Sequence, residues 1–154
     1  MKKLLVIVFF IFSTNFSFAC SCIGKSKMKK EIENTNVVFT GKIVSRKVYE
    51  EKNEYNENLN FAKVEYKVLI IERLKGEIKT DTLTIFTGLG NGDCGIKFQI
   101  GKSYIIYSNY EDEHFNNGKK VQKYLSTNIC TRTIEFENTE YKKIKKYARR
   151  KGYC

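Results

Sequence analysis

Cysteine is the residue type through which this chain could do chemistry. Five are present, Cys20, Cys22, Cys94, Cys130 and Cys154, beside a single histidine, His114. Cys20 and Cys22 stand one residue apart in the stretch FSFACSC. Such a set could form disulfide staples, a metal site or a nucleophilic thiol. A structural zinc site wants short-spaced ligand pairs, and here one Cys pair faces a histidine set in the polar run YEDEHFNNGKK. No second short-spaced pair follows, so no metal of the protein's own is expected. A Cys94–His114 nucleophile would need a reduced thiol, and an enzyme is not expected either.

The choice among these depends on where the chain is sent. It opens MKKLLVIVFFIFSTNFSFA, with a basic start at Lys2 and Lys3, an apolar run from Leu4 to Phe12, and small residues at Ser17 and Ala19. That pattern predicts a secretory signal over residues 1–19, too short to cross a bilayer. No later stretch is apolar for long enough to be a transmembrane segment. Cleavage after Ala19 would put Cys20 at the amino terminus of one domain, residues 20–154. A leading cysteine also suits lipoprotein acylation, but Ser17 stands where a leucine-like residue is wanted, so ordinary cleavage is preferred. An exported protein, extracellular or periplasmic, meets an oxidising compartment, which makes disulfides the default. Four cysteines can pair and one is left over, and spacing does not choose among the pairings.

The net charge is +11, with Lys2 and Lys3 belonging to the signal. Proline and tryptophan are absent while lysine, asparagine, isoleucine and tyrosine abound, a bias that an AT-rich genome would produce. The charge therefore does not argue for a nucleic-acid partner, and export argues against one. One basic run stands apart, NTEYKKIKKYARRKGYC. Tyr141, Ile144 and Ala148 recur at helical spacing behind a cap at Asn138, which leaves Lys142, Lys143, Lys145, Lys146, Arg149 and Arg150 outward. The plain expectation is a solvated helix packed on the domain; a polyanion partner, heparin-like or phospholipid, is the other use of such a face.

The elements that must position the cysteines follow from periodicity. Met28 and Ile32 mark a short helix within 24–36, and the β-branched stretch 37–45 predicts a strand. Residues 46–60 are charged and asparagine-rich, an exposed hairpin tip or long loop. Over 61–76, Val64, Tyr66, Val68 and Ile70 alternate with Lys63, Glu65 and Lys67, the clearest strand. Further strands are expected over 80–88, 102–108 and 119–133, with a glycine-rich turn at 89–95 carrying Cys94 and an acidic loop carrying His114. Helix, five strands and helix suit a small closed β-barrel with helices alongside.

Cys20-Ser21-Cys22, NVVFTGKIV, YKVLIIERLKG, CGIKFQIGKSYIIYS and LSTNICTRT occur in an order that resembles the inhibitory domain of the tissue inhibitors of metalloproteinases. More broadly, they resemble the netrin-like module. The resemblance implies a mainly β fold, a five-stranded OB-fold Greek-key barrel with flanking helices, stapled by Cys20–Cys94 and Cys22–Cys130. It further implies a secreted inhibitor whose partner is a zinc metalloprotease. The α-amine and carbonyl of Cys20 would chelate the protease's catalytic zinc, so the only metal involved is the target's and the inhibitor needs no cofactor. Ser21 would face the specificity pocket, Ile23 would extend the edge, and the turn Asn91, Gly92 and Asp93, tethered through Cys94, would make a second contact. Three features depart from the family: Gly24 where many members place a proline, and no counterpart to the third bridge or the second domain of animal members. The alternative is a secreted or lipid-anchored netrin-like binding module, for a protein or polyanion, without inhibitory activity.

Intact mass and amino-terminal sequencing of the exported protein are expected to give an unmodified Cys20 start with four thiols oxidised. A diacylglycerol adduct on Cys20 would reverse the preference for ordinary cleavage.

Overall fold

A computed structural model of the chain describes residues 20, 22, 24, 26–52, 60–113 and 122–154. The expected signal at 1–19 and three residues singled out above, Ser21, Ile23 and His114, lie outside the described residues. The elements in chain order are α1 (Met28–Asn34), β1 (Val37–Lys52), β2 (Asn60–Lys75), β3 (Thr82–Thr87), β4 (Ser103–Glu113), β5 (Gln122–Ser126), β6 (Ile134–Glu135) and α2 (Asn138–Lys151).

β1 pairs with β2, β2 with β3, and β4 with both β1 and β5, all antiparallel, while β3 and β5 run parallel. The order β1-β2-β3-β5-β4 thus returns to β1 and closes the expected five-stranded ring, mainly β with helices alongside. Closure pairs both edges of β1 over residues 38–42 and of β2 over residues 64–69, while the outer hairpin extends beyond the ring.

Both faces of the ring wall are used. On β1, Val37 and Phe39 point into the barrel with Val64, Tyr66 and Val68 of β2 and Ile106 of β4. The residue between them, Val38, points outward and joins Ile105 and Tyr107 of β4 in a second core. Ile32 from α1 and Ile144 from α2 cover that second core, each fully buried. Period two puts alternate residues on opposite faces, so a strand buried on both sides reads as a continuous apolar run. That is why VVF opens β1 and YIIY opens β4.

Three boundaries differ from expectation, each for a local reason. β1 runs on to Lys52 and pairs with β2 down to Lys52–Asn60, through much of the stretch expected as loop. On β1 there, Arg46, Lys47 and Val48 are exposed, so polar cross-strand contacts support the ladder and β1 shows no apolar alternation. The Tyr49 hydroxyl donates to Glu65 at 2.9 Å, and the Lys47 ammonium lies 4.5 Å from the Tyr49 ring centre. The strand expected over 119–133 ends at Ser126 as β5; a tight turn follows, and the two-residue β6 lies beyond it, against Tyr104 and Ile105 of β4. Threonine and asparagine side chains take over the backbone there. Thr127 donates to the Tyr107 carbonyl at 2.8 Å, and the Asn128 Oδ1 accepts from the Cys130 N–H at 2.9 Å. Finally, Asn138 is the first helical residue of α2 and not its cap; Glu137 holds that position without a side-chain cap hydrogen bond. The helix ends on Gly152 in a left-handed conformation, with the Tyr153 N–H reaching back to the Ala148 carbonyl at 3.0 Å.

Ile144→Ala is expected to cost about 3 kcal/mol, the usual range for emptying a fully buried isoleucine site. Urea unfolding checks this, with the slope of the transition unchanged.

Candidate functional site

The pairing implied by the resemblance is present. Cys20 bonds Cys94 with Cα atoms 5.4 Å apart, and Cys22 bonds Cys130 at 5.2 Å. The sulfurs of Cys20, Cys22 and Cys130 all lie within 4.8 Å of one another, so the two bridges run side by side. Oxidised in this way, those sulfurs are not thiolate metal ligands. Cys154 is exposed and unbridged.

The strand order explains why two anchors so far apart in sequence meet. β3 and β5 are parallel neighbours, paired at Ile85–Leu125 and Phe86–Ser126. Parallel strands finish at the same end of a sheet, so the turns leaving β3 and β5 emerge side by side. One turn carries Cys94 and the other Cys130. The Thr127 N–H extends the ladder to the Phe86 carbonyl at 3.0 Å, and the Ile129 N–H joins the turns by donating to the Cys94 carbonyl at 2.9 Å. Residues 20 and 22 are therefore fastened to a frame that is already rigid.

The glycine-rich turn is built around Asp93. Its carboxylate accepts from the N–H groups of Leu89 and of Gly90 at 2.7 Å, Asn91 at 3.3 Å and Gly95 at 3.2 Å. The turn folds so tightly that a Cβ on Gly95 would fall 2.2 Å from the Gly88 carbonyl carbon. Cys94 takes a left-handed backbone at φ 59°, uncommon for a residue with a side chain. Burial acts to raise the Asp93 pKa, but the backbone donors outweigh it and hold the carboxyl below its usual value. Of the three residues expected to make a second contact, Asp93 spends its carboxylate inside the turn and Asn91 is held by Lys97 at 2.7 Å. Gly92 stands exposed with nothing within 4 Å of where a Cβ would be.

Gly24 gains a reason from its geometry. It sits at φ 62° and its N–H donates to the Cys22 carbonyl at 2.8 Å. A proline could supply neither the left-handed φ nor the donor.

Two organising side chains escaped the sequence reading. Asp93 was read as a contact residue and is the turn's internal hub. Arg132, two residues beyond Cys130, donates to the Ser26 carbonyl at 3.0 Å and pairs with Glu140 of α2. It thus ties the segment that follows Cys22 to the second core. Burial disfavours the guanidinium charge, yet Glu140 beside it keeps the Arg132 pKa above its usual value. Tyr107 packs against it, its phenol pushed upward chiefly by burial. Only an arginine following a cysteine in LSTNICTRT could have hinted at this, and that hint is slight.

A cleft of about 210 Å³ opens beside the bridges, lined among others by Lys63, Phe86, Asp93, Glu111 and Tyr124. The basic residues sit on α2, the helix that helps to seal the second core. Lys145 is held 2.8 Å from Glu72 and is not an outward cation as expected, whereas Lys142, Lys143, Lys146, Arg149 and Arg150 are exposed. No helix among the described residues is long and apolar enough to cross a membrane.

A family model described as tissue inhibitor of metalloproteinase matches residues 18–119, more than half of the 154-residue chain. The match takes in Cys20, Cys22, Cys94 and the strands β1 to β4. No curated protein matches the chain.

Asp93→Ala should lower stability by about 2 kcal/mol, because its backbone donors lose a charged acceptor. A group whose folded pKa is depressed contributes stability above its unfolded value, 3.8 for this carboxyl, and that contribution is lost as pH falls through the folded value. Amide exchange at Gly90 and Gly95 is therefore expected to lose protection as wild-type protein is acidified below that point. In the alanine variant those amides should exchange fast at every pH.

Proposed function

Because the chain belongs to the tissue inhibitor of metalloproteinase family, we propose that it is an exported inhibitor that blocks a zinc metalloprotease with its own amino terminus. Members of that family are inhibitors and not enzymes. On this reading, residues 1–19 are removed in export and Cys20 becomes the first residue, in an extracellular or periplasmic compartment that supports its disulfides.

The observation that carries the proposal is the double clamp: Cys20 and Cys22 are each bonded to one of two turns that leave parallel neighbouring strands. A catalytic zinc keeps one position open for water. The α-amine and carbonyl oxygen of a single residue close a five-membered ring on such a metal and take that position. The Cys20 thiol has no part in ligation; oxidised to Cys94, it fixes the backbone atoms that ligate. Rigidity matters because a loose terminus would lose conformational freedom on binding and weaken it. Ser21 then points toward the protease's specificity pocket and Ile23 extends the contact. The tip at Gly92 approaches from the turn tethered by Cys94.

An α-amine titrates near pH 7.7–8.0, so the neutral nitrogen that a metal needs is a minority form at neutrality but accessible there. Protonation competes with the zinc, and inhibition should weaken steadily as pH falls below that range while the inhibitor stays folded.

The deciding experiment adds one alanine before Cys20. Against a panel of zinc endopeptidases, the extended protein is expected to lose inhibition entirely with its thermal midpoint unchanged. Equal potency of the extended and natural forms would refute chelation.

A further inference from the structure

The outer face of α2 carries a charge pattern that stability does not explain. At 3.6 residues per turn, Lys142, Lys143, Lys146, Arg149 and Arg150 fall within an arc of about 120°, opposite buried Ile144 and Ala148. Lys146 has a cation at every i±3 and i±4 position: Lys142, Lys143, Arg149 and Arg150. Like charges at those spacings destabilise a helix. None of the five forms an ion pair with a described residue. Nearby carboxylates are committed elsewhere: Glu72 to Lys145, Glu33 to Lys151, and Glu140 to Arg132. Only Arg149, at the edge of the arc, lies near enough to Glu72 to help lower its pKa.

We infer that this stripe is a binding site for a linear polyanion, specifically a sulfated or carboxylated polysaccharide. A ligand that brings negative charge along the helix relieves the repulsion that the fold leaves unrelieved. The stripe is about 12 Å long and one helix face wide, the shape of a chain and not of a plane. A membrane-surface helix turns an apolar face to the lipid, but the apolar face of α2 is already spent on Ile105 and Tyr107 of the second core. The arc also carries no aromatic ring on which unpaired bases could stack, which disfavours single-stranded nucleic acid. The site rests on the helix alone and not on the inhibitory reading.

The test uses the full exported chain and heparin, with duplex DNA and phosphatidylserine vesicles as competitors. Wild type should bind heparin, with affinity falling linearly in log salt. Replacing Lys142, Lys143, Lys146, Arg149 and Arg150 by glutamine should weaken binding about tenfold or more and flatten the salt slope. A control that replaces Lys42, Arg46, Lys67, Lys79 and Lys123 by glutamine loses the same charge elsewhere and should bind within about threefold of wild type. The helix variant should melt at or above the wild-type temperature, since repulsion is removed; Lys146→Glu serves as a milder probe, expected to weaken binding measurably by itself. Absence of heparin binding, or equal losses in the helix and control variants, overturns the site. Tighter binding to duplex DNA or to vesicles overturns the polysaccharide as its occupant.

Discussion

The parallel pairing of β3 with β5 is the constraint on which the rest of this molecule depends. In an otherwise antiparallel ring it brings two strand ends, and the turns that leave them, to the same place. Without it, Cys94 and Cys130 would lie at opposite ends of the barrel and no adjacent pair of cysteines could reach both. Each bridge closes a long stretch of chain, 74 and 108 residues. Cross-links of that span remove on the order of 4 kcal/mol of unfolded-chain entropy apiece, less for the second because the loops overlap. The covalent clamp and the strand order are thus one device.

Around that device the fold divides its labour between two cores on either side of one wall. The barrel interior holds the ring together. The outer core, sealed by α1 and α2 through Ile32 and Ile144, holds the segment that leads away from the clamp. Arg132 joins the two systems. It sits between the Cys130 turn and α2, and its ion pair with Glu140 shields a charge that burial alone would penalise. A half-buried guanidinium with a single carboxylate partner adds little net stability, but it does specify one arrangement of the elements that it touches.

Much of this was legible in the residues. Period-two alternation located β2 and β3, helical spacing at Tyr141, Ile144 and Ala148 located α2, and the pairing of the cysteines came from the family resemblance and not from their spacing. What was not legible has a common physical character. The outer half of the β1–β2 hairpin is held by Tyr49, Glu65 and Lys47, whose polar contacts leave no periodic trace. The break between β5 and β6 is made by hydroxyls of Thr127, Thr131 and Thr133 that bond to one another and to Tyr107, and threonine is as much at home in strands. Asp93 looked like an exposed loop acid because its donors are backbone groups with no residue identity to read. The need for glycine at position 24 likewise depends on a φ angle and not on a spacing.

The bridge from Cys22 to Cys130 also imposes an order in time. A cystine cannot close until both of its halves exist, so Cys22 must wait until β1 through β5 and the turn after them have been synthesised. A segment made early is thus fastened late. Any thiol met during that interval is a rival for Cys20 and Cys22, so the moment of oxidation helps decide which bridges form.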